Sequence, residues 1–256
     1  MRVPRLFRHS LDLAIRLKHR TRIRTRAIAA SRDLWRWLDN VHYNVRKTGY
    51  GLDTWRNLLI DRRYGGSCAG TSKPAYYAAV GANEIQSSDY TQLDMLFDRN
   101  RLEIRPDDVL VDVGCGKGRV FNFWLERGHR NRMVGLELSE EVAAAARERL
   151  ACFPNVTILA GDAIANLPPD GTFFYVYNPF AEPVVRRFAD ALAATVERKA
   201  DVRIIYNHCR HIDVFAADPR WNITFLDVGW RRVRAALITF RNSPDQAPEG
   251  IVGSLS

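Results

Sequence analysis

The sequence predicts an α/β protein built on a mostly parallel sheet and preceded by a basic, largely helical N-terminal extension, and three observations predict it. Residues 109–113 are a short apolar run rich in β-branched side chains, which suits a strand buried on both faces of a parallel sheet. That run enters Gly114-Cys115-Gly116-Lys117-Gly118 and then a helical pattern, so a strand, a tight turn and a helix follow one another without a linker. From there to Phe240, apolar strand-like runs alternate with helical ones. A chain of 256 residues with 46% hydrophobic content can hold one α/β domain and an appendage, and no apolar run reaches the length that spans a bilayer.

The extension carries the charge. Residues 1–36 hold eleven Lys and Arg against Asp12 and Asp33, which accounts for the whole net charge of +9 and leaves the other residues neutral. Leu6, Phe7, Leu13, Ile15, Leu17, Ile23 and Ile28 mix with these cations at roughly helical spacing, and Ser31 is placed to cap a second helix carrying Leu34, Trp35 and Leu38. Three readings stay open: a helix lying on an anionic membrane surface, a cation strip for nucleic-acid phosphates, or a solvated and partly disordered extension. The same Arg-rich, acid-poor leader imitates an organelle transit peptide but not a secretory signal. Cys68, Cys115, Cys152 and Cys209 have no C-x-x-C spacing, which argues against a zinc site and against a disulfide framework, so no metal is expected and the cytoplasm is the expected compartment, with peripheral membrane attachment through the extension as the variant.

Residues 37–82 are the least legible. Trp37, Tyr43, Tyr50, Trp55 and Tyr64 bring aromatics, and 65–74 reads as a loop, so the segment is expected to be either a lid or a linker. Leu93, Leu96 and Phe97 then mark a helix ahead of Pro106 and the first strand.

Asp112 interrupts that strand near its carboxyl end, where a carboxylate is costly to bury without a partner and is better placed to meet a ligand or a loop amide. Gly114, Gly116 and Gly118 let the backbone lie against a bound molecule. The position of the last glycine of a dinucleotide fingerprint holds Arg119, which disfavours NAD, and the turn is too short for a phosphate-binding P-loop. The segment Asp112-Val113-Gly114-Cys115-Gly116-Lys117-Gly118 resembles the D/E-x-G-x-G-x-G signature of the class I S-adenosylmethionine-dependent methyltransferases. The resemblance covers residues 85–241. It implies a Rossmann-like seven-stranded sheet with a closing antiparallel hairpin, S-adenosyl-L-methionine as cofactor, and a division into an extension at 1–84, a cofactor domain at 85–241 and a Pro-, Gly- and Ser-rich tail at 242–256.

Each later element adds to this. Val120, Phe121, Trp124 and Leu125 line a helix that Gly128 ends. The strand 133–137 closes on Glu137, a carboxylate able to accept hydrogen bonds from both hydroxyls of a ribose, with Leu138 beside it. Ser139, Glu140 and Glu141 start the next helix. The strand 156–160 leads to Gly161-Asp162-Ala163, where the resemblance implies that Asp162 accepts from the adenine amino group and Ala163 offers a backbone amide. It also implies that Tyr90 and Thr91 contact the methionine end and that Cys115 belongs to the turn as a small residue that fits.

The strand 172–177 ends in Asn178-Pro179-Phe180, which resembles the D/N-P-P-Y/F motif of methyltransferases acting on planar nitrogens, with one proline fewer. By that resemblance Asn178, Pro179 and Phe180 face the acceptor; the alternative is that Asn178 caps the following helix, 184–198. A fifth strand at 202–206 is followed by His208 and His211, of which His208 is the better placed candidate for a general base, the alternative being that both are structural or solvated histidines of a polar turn. Residues 223–228 and 233–240 form the closing hairpin. Methyl transfer needs alignment and, where the acceptor carries one, removal of a proton, so the acceptor class stays open among a small molecule, a glycan or lipid precursor, a protein side chain and RNA. The competing hypothesis is a noncatalytic cofactor-binding or scaffolding module that acts through the basic arm.

Overall fold

The computed structural model describes residues 50–70, 74–196, 202–229 and 234–240. The expectations for the basic arm at 1–36 and for the tail lie outside these residues. Leu52–Ser256 group into one compact unit.

Seven strands, β1 (Leu110–Val113), β2 (Met133–Glu137), β3 (Val156–Ala160), β4 (Phe173–Tyr177), β5 (Arg203–Asn207), β6 (Trp221–Leu226) and β7 (Ala235–Phe240), form one sheet in the order β3-β2-β1-β4-β5-β7-β6. The first five are parallel, and β7 runs antiparallel to both β5 and β6. This is the expected Rossmann-like sheet with its closing hairpin. Among the described residues seven helices flank it: α1 (Tyr50–Arg63), α2 (Ala75–Ala79), α3 (Tyr90–Asn100), α4 (Arg119–Glu126), α5 (Glu140–Leu150), α6 (Glu182–Val196) and α7 (Ile212–Ala216). None of the described helices is long and apolar enough to cross a membrane.

The strands are apolar on both faces because both faces are covered. Val111, Val113, Val134, Leu136, Phe174, Val176 and Ile204 pack with Val185, Phe188 and Leu192 of α6 and Phe215 of α7. On the other face Leu110, Met133, Phe173, Tyr175 and Ile205 pack with Leu93, Leu96 and Phe97 of α3, Phe121 and Trp124 of α4, and Ala143 and Leu150 of α5. Asp112 falls on this second face, as the two-residue period of the strand requires. Local signals set the ends of α5: the Ser139 hydroxyl accepts from the Val142 amide, Glu140 and Glu141 occupy the first turn and Arg147 and Arg149 the last.

The structure adds three helices to those the sequence patterns mark. α7 follows β5, where only a polar turn is read from the sequence. α1 and α2 lie in the stretch that carried no clear period, and α1 is fixed to the start of α4 by a buried ion pair. Asp61, 1% exposed at its side chain, receives Arg119 Nη2 at 2.7 Å. It also accepts from Arg119 Nε at 3.2 Å, the Tyr90 hydroxyl at 2.7 Å and the Cys68 amide at 2.9 Å. The arginine that replaces a dinucleotide glycine is thus the inner anchor of α1.

Candidate functional site

The strand order reverses at β1, which has β2 on one side and β4 on the other, and this is where open parallel sheets leave a crevice at their carboxyl ends. The predicted residues of β1, β2 and β4 meet there. Gly114 has φ 75° and a Cβ on it would stand 2.7 Å from Cβ of Pro179, so the turn after β1 touches the loop after β4 directly and a larger residue is excluded. The Gly114 and Cys115 amides both donate to the Leu136 carbonyl, at 2.8 and 3.0 Å, which holds the turn against the end of β2. Gly118 closes the turn as the N-terminal flank of α4.

Asp112 and Glu137 are both buried, at 3% and 2% exposure. Glu137 is well satisfied: Oε1 accepts from the Tyr77 hydroxyl at 2.5 Å and the Ser139 amide at 2.9 Å, and Oε2 accepts from the Gly116 amide at 2.8 Å. Asp112 is not, since its Oδ2 is buried without a hydrogen-bond partner among the described residues. Burial first, and the charge of Glu137 second, push the Asp112 carboxyl well above the ordinary carboxylate range. A buried carboxylate oxygen lacking a donor, beside a glycine turn and a second carboxylate, is an unfilled acceptor for a cationic or N–H-bearing ligand. The amino group and ribose of S-adenosylmethionine fit that donor requirement.

The other predicted residues are placed as follows. Leu138 is half-buried. The Gly161 amide donates to the Glu137 carbonyl at 2.8 Å, which sets Asp162 and Ala163 beside the end of β2. Asp162 is exposed at the rim, its Oδ1 accepting from the Ile164 amide at 2.8 Å and its Oδ2 lying 3.6 Å from Arg187 of α6, whereas Ala163 packs into the core. Tyr90 and Thr91 turn the other way. The Tyr90 hydroxyl donates to Asp61 and receives Asn122 Nδ2 at 2.9 Å, and Thr91 Oγ1 accepts from Arg56 at 3.0 Å, so both hydroxyls are spent on holding α3 to α1 and α4.

At the end of β4, Asn178 has φ 43°, a left-handed conformation that asparagine tolerates better than most residues, and Tyr206 reaches its Oδ1 at 3.4 Å. The Phe180 ring packs on Phe188, 5.7 Å between centroids. Three successive carbonyls of this loop are engaged by one residue: Asn83 Nδ2 donates to Asn178 O at 2.8 Å and Phe180 O at 3.1 Å, and the Asn83 amide donates to Pro179 O at 2.8 Å. His208 follows β5 with φ 52° and its ring 5.9 Å from that of Tyr177. Its Nε2 accepts from Arg210 Nε at 3.4 Å, and burial, helped by the Arg210 charge, lowers the His208 pKa.

Tyr77, Asn83 and a network linking Tyr175 to Ser88 at 2.9 Å and to Asn207 at 3.0 Å are site features the sequence does not mark. Tyr175 stands opposite Asp112 in the β1–β4 register. Its position on an apolar strand looks like packing, and only the pairing of strands reveals its neighbour.

Residues 110–202 match the family model described as a methyltransferase domain. A probable cobalt-precorrin-6B C(15)-methyltransferase of Archaeoglobus fulgidus is 35% identical over 77 residues, 29% of this chain and 45% of that protein. Ribosomal RNA small subunit methyltransferase A of Thermotoga neapolitana is 27% identical over 116 residues, 40% of this chain and 42% of that protein. The chain thus spans less than half the length of these curated relatives. Among solved structures, an RNA methyltransferase of Salinibacter ruber in complex with S-adenosyl-L-homocysteine superposes with a TM-score of 0.46 at 19% identity, covering 65% of this chain and 98% of that one.

Proposed function

We propose, for a chain whose residues 110–202 match a methyltransferase-domain family model, that this domain is of the class I, S-adenosylmethionine-dependent kind, that the crevice at the ends of β1, β2 and β4 binds that cofactor and that the protein transfers its methyl group to an acceptor. The observation that carries this reading is the buried, partnerless Oδ2 of Asp112 beside the glycine turn and Glu137. When bound, S-adenosylmethionine supplies an electrophilic methyl group on a sulfonium sulfur.

The chain's own residues do the rest. Asp112 offers its open acceptor to the amino group of the methionine end, and Gly114, Cys115, Gly116 and Gly118 keep the turn thin enough for close approach. Glu137 takes ribose hydroxyls, Leu138 and Ala163 flank the base, and Asp162 accepts from the adenine amino group, which selects adenine because a carboxylate can only accept. Asn178, Pro179 and Phe180 stand across from the turn, where an acceptor must be aligned. His208 is the candidate to take a proton, once its Nε2 gives up the hydrogen bond that it accepts from Arg210 Nε. The acceptor is a small molecule, a glycan or lipid precursor, a protein side chain or RNA, and the basic arm at 1–36 brings the domain to an anionic membrane surface or to nucleic acid.

Calorimetric titration with S-adenosylhomocysteine tests the cofactor assignment. Binding in the micromolar range, weakened about ten-fold or more in Asp162→Ala by loss of a hydrogen bond to a charged group, is expected. An NADH control should give no heat. Binding of NADH alone, or of neither molecule, would sink the assignment.

A further inference from the structure

The crevice is crossed by a short piece of chain that no part of the methyl-transfer reading uses. Residues 77–85 run from the end of β2 to the loop after β4. At one end the Tyr77 hydroxyl donates to Glu137 Oε1 at 2.5 Å, with the residue only 2% exposed. At the other, Asn83 engages the carbonyls of Asn178, Pro179 and Phe180, Ala82 forms a bridge with Phe180, and the Ala181 amide donates to Gly81 O at 2.8 Å. Two residues past Asn83, Ile85 lies against the glycine turn, its Cγ2 2.9 Å from where a Cβ of Gly116 would stand.

Counting lone pairs on Glu137 decides what this means. A carboxylate has about four acceptor sites. Three are taken, by Tyr77, Ser139 and Gly116. A ribose brings two hydroxyls, so one present donor has to leave before both can bind. The Ser139 amide is fixed at the start of α5 and the Gly116 amide in the turn after β1. Tyr77 is the donor that can go: it sits on the five-residue α2, whose flanking Pro74 makes no side-chain cap, and a helix that short has little stability of its own.

From this, and resting on the reading of Glu137 as the ribose acceptor, we infer that residues 77–85 are a self-occupying strap: Tyr77 competes with the cofactor's ribose for Glu137, Asn83 holds the far end on the loop after β4, and binding displaces the strap. The strap couples the two halves of the site. Asn83 holds one lone pair of each carbonyl at 178–180, so release by the cofactor also frees these for an acceptor.

Three titrations with S-adenosylhomocysteine and one exchange measurement test this. Tyr77→Phe keeps the ring and removes the competing hydroxyl, and Asn83→Ala frees the other anchor; each is expected to bind about ten-fold more tightly than the unaltered chain. Far-UV circular dichroism and a melting curve establish that both fold. In the unaltered chain the Ala82 and Asn83 amides, bonded to Tyr77 O and Pro179 O, should exchange with deuterium faster once S-adenosylhomocysteine is added. Unchanged or weaker binding by folded Tyr77→Phe, or slower exchange at 82 and 83, overturns the strap while leaving the cofactor assignment standing. Binding by the variants but not by the unaltered chain supports it strongly. If none of the three folded proteins binds, the cofactor assignment itself falls and the strap falls with it.

Discussion

Asp112 is where stability and binding pull apart most sharply. Its folded-state pKa is raised by burial and by Glu137, so the folded protein prefers the protonated acid more than the unfolded chain does. The cost of keeping it ionised therefore grows as pH rises above the ordinary carboxylate value and is relieved as pH falls. Asp112→Asn removes the charge, and at pH 7.5 without ligand it should melt a few degrees higher, about 1 kcal/mol, the lower end of what an unsatisfied buried group costs. The gap to the unaltered chain should close as the pH is lowered toward the ordinary carboxylate value. The same variant should bind S-adenosylhomocysteine at least about ten-fold more weakly. Melting curves across pH beside a titration read both effects; a variant that melts lower at pH 7.5 would show that the carboxylate is satisfied in solution. Asp112 was legible in the sequence as a polar interruption of a buried strand. Its lack of a partner was not, because partners come from other strands and loops.

At the scale of elements, the weight falls on α1. Its inward residues are Asn57, Ile60 and Asp61, while Trp55 and Leu59 are each 62% exposed. An apolar stripe is the usual guide to a helix and to the face it buries; here the buried face is mostly polar and the larger apolar residues point outward, which is why α1 showed no readable period. The elements that could be read, β1 to β7 with α3, α4, α5 and α6, are those that turn apolar residues to the core. The Asp61–Arg119 pair lets α1 break the rule, and removing one partner leaves the other charge buried. Asp61→Ala is expected to cost about 3–5 kcal/mol in urea unfolding, and the double replacement Asp61→Leu with Arg119→Met should recover most of it, because two apolar groups leave no uncompensated charge. A single variant within about 1 kcal/mol of the unaltered chain would mean that the pair does not anchor α1. The helix also bears on the site, since Asp61 and Asn57 hold Tyr90 and Asp89, and with them the start of α3.

The molecule as a whole divides its tasks by charge. Buried parallel strands and the acids at their ends made the sheet and its crevice legible along the sequence, while the strap contacts of Tyr77 and Asn83 depend on which strand ends meet in space. The attachment of the protein to its surroundings is legible in charge alone. Eleven cations against two Asp in residues 1–36 carry the whole net +9, and the rest of the chain is neutral. A neutral body has no long-range pull on a polyanion, and at physiological salt fields fade over about 8 Å. Salt-dependent attachment to an anionic partner should therefore belong to the first 36 residues. A chain beginning at residue 37 should keep its affinity for S-adenosylhomocysteine, because the site lies within Leu52–Ser256, yet lose binding to whichever anionic partner the full chain takes. Two partners separate the readings. On phosphatidylserine vesicles each Lys or Arg near the surface contributes about 1 kcal/mol; on a single-stranded RNA log K should fall with log salt by about 0.7 per phosphate contacted. Vesicle binding alone assigns the arm to membranes, and RNA binding alone assigns it to nucleic acid. Equal binding by the shortened and full chains would move the attachment onto the domain and end the electrostatic account of the arm.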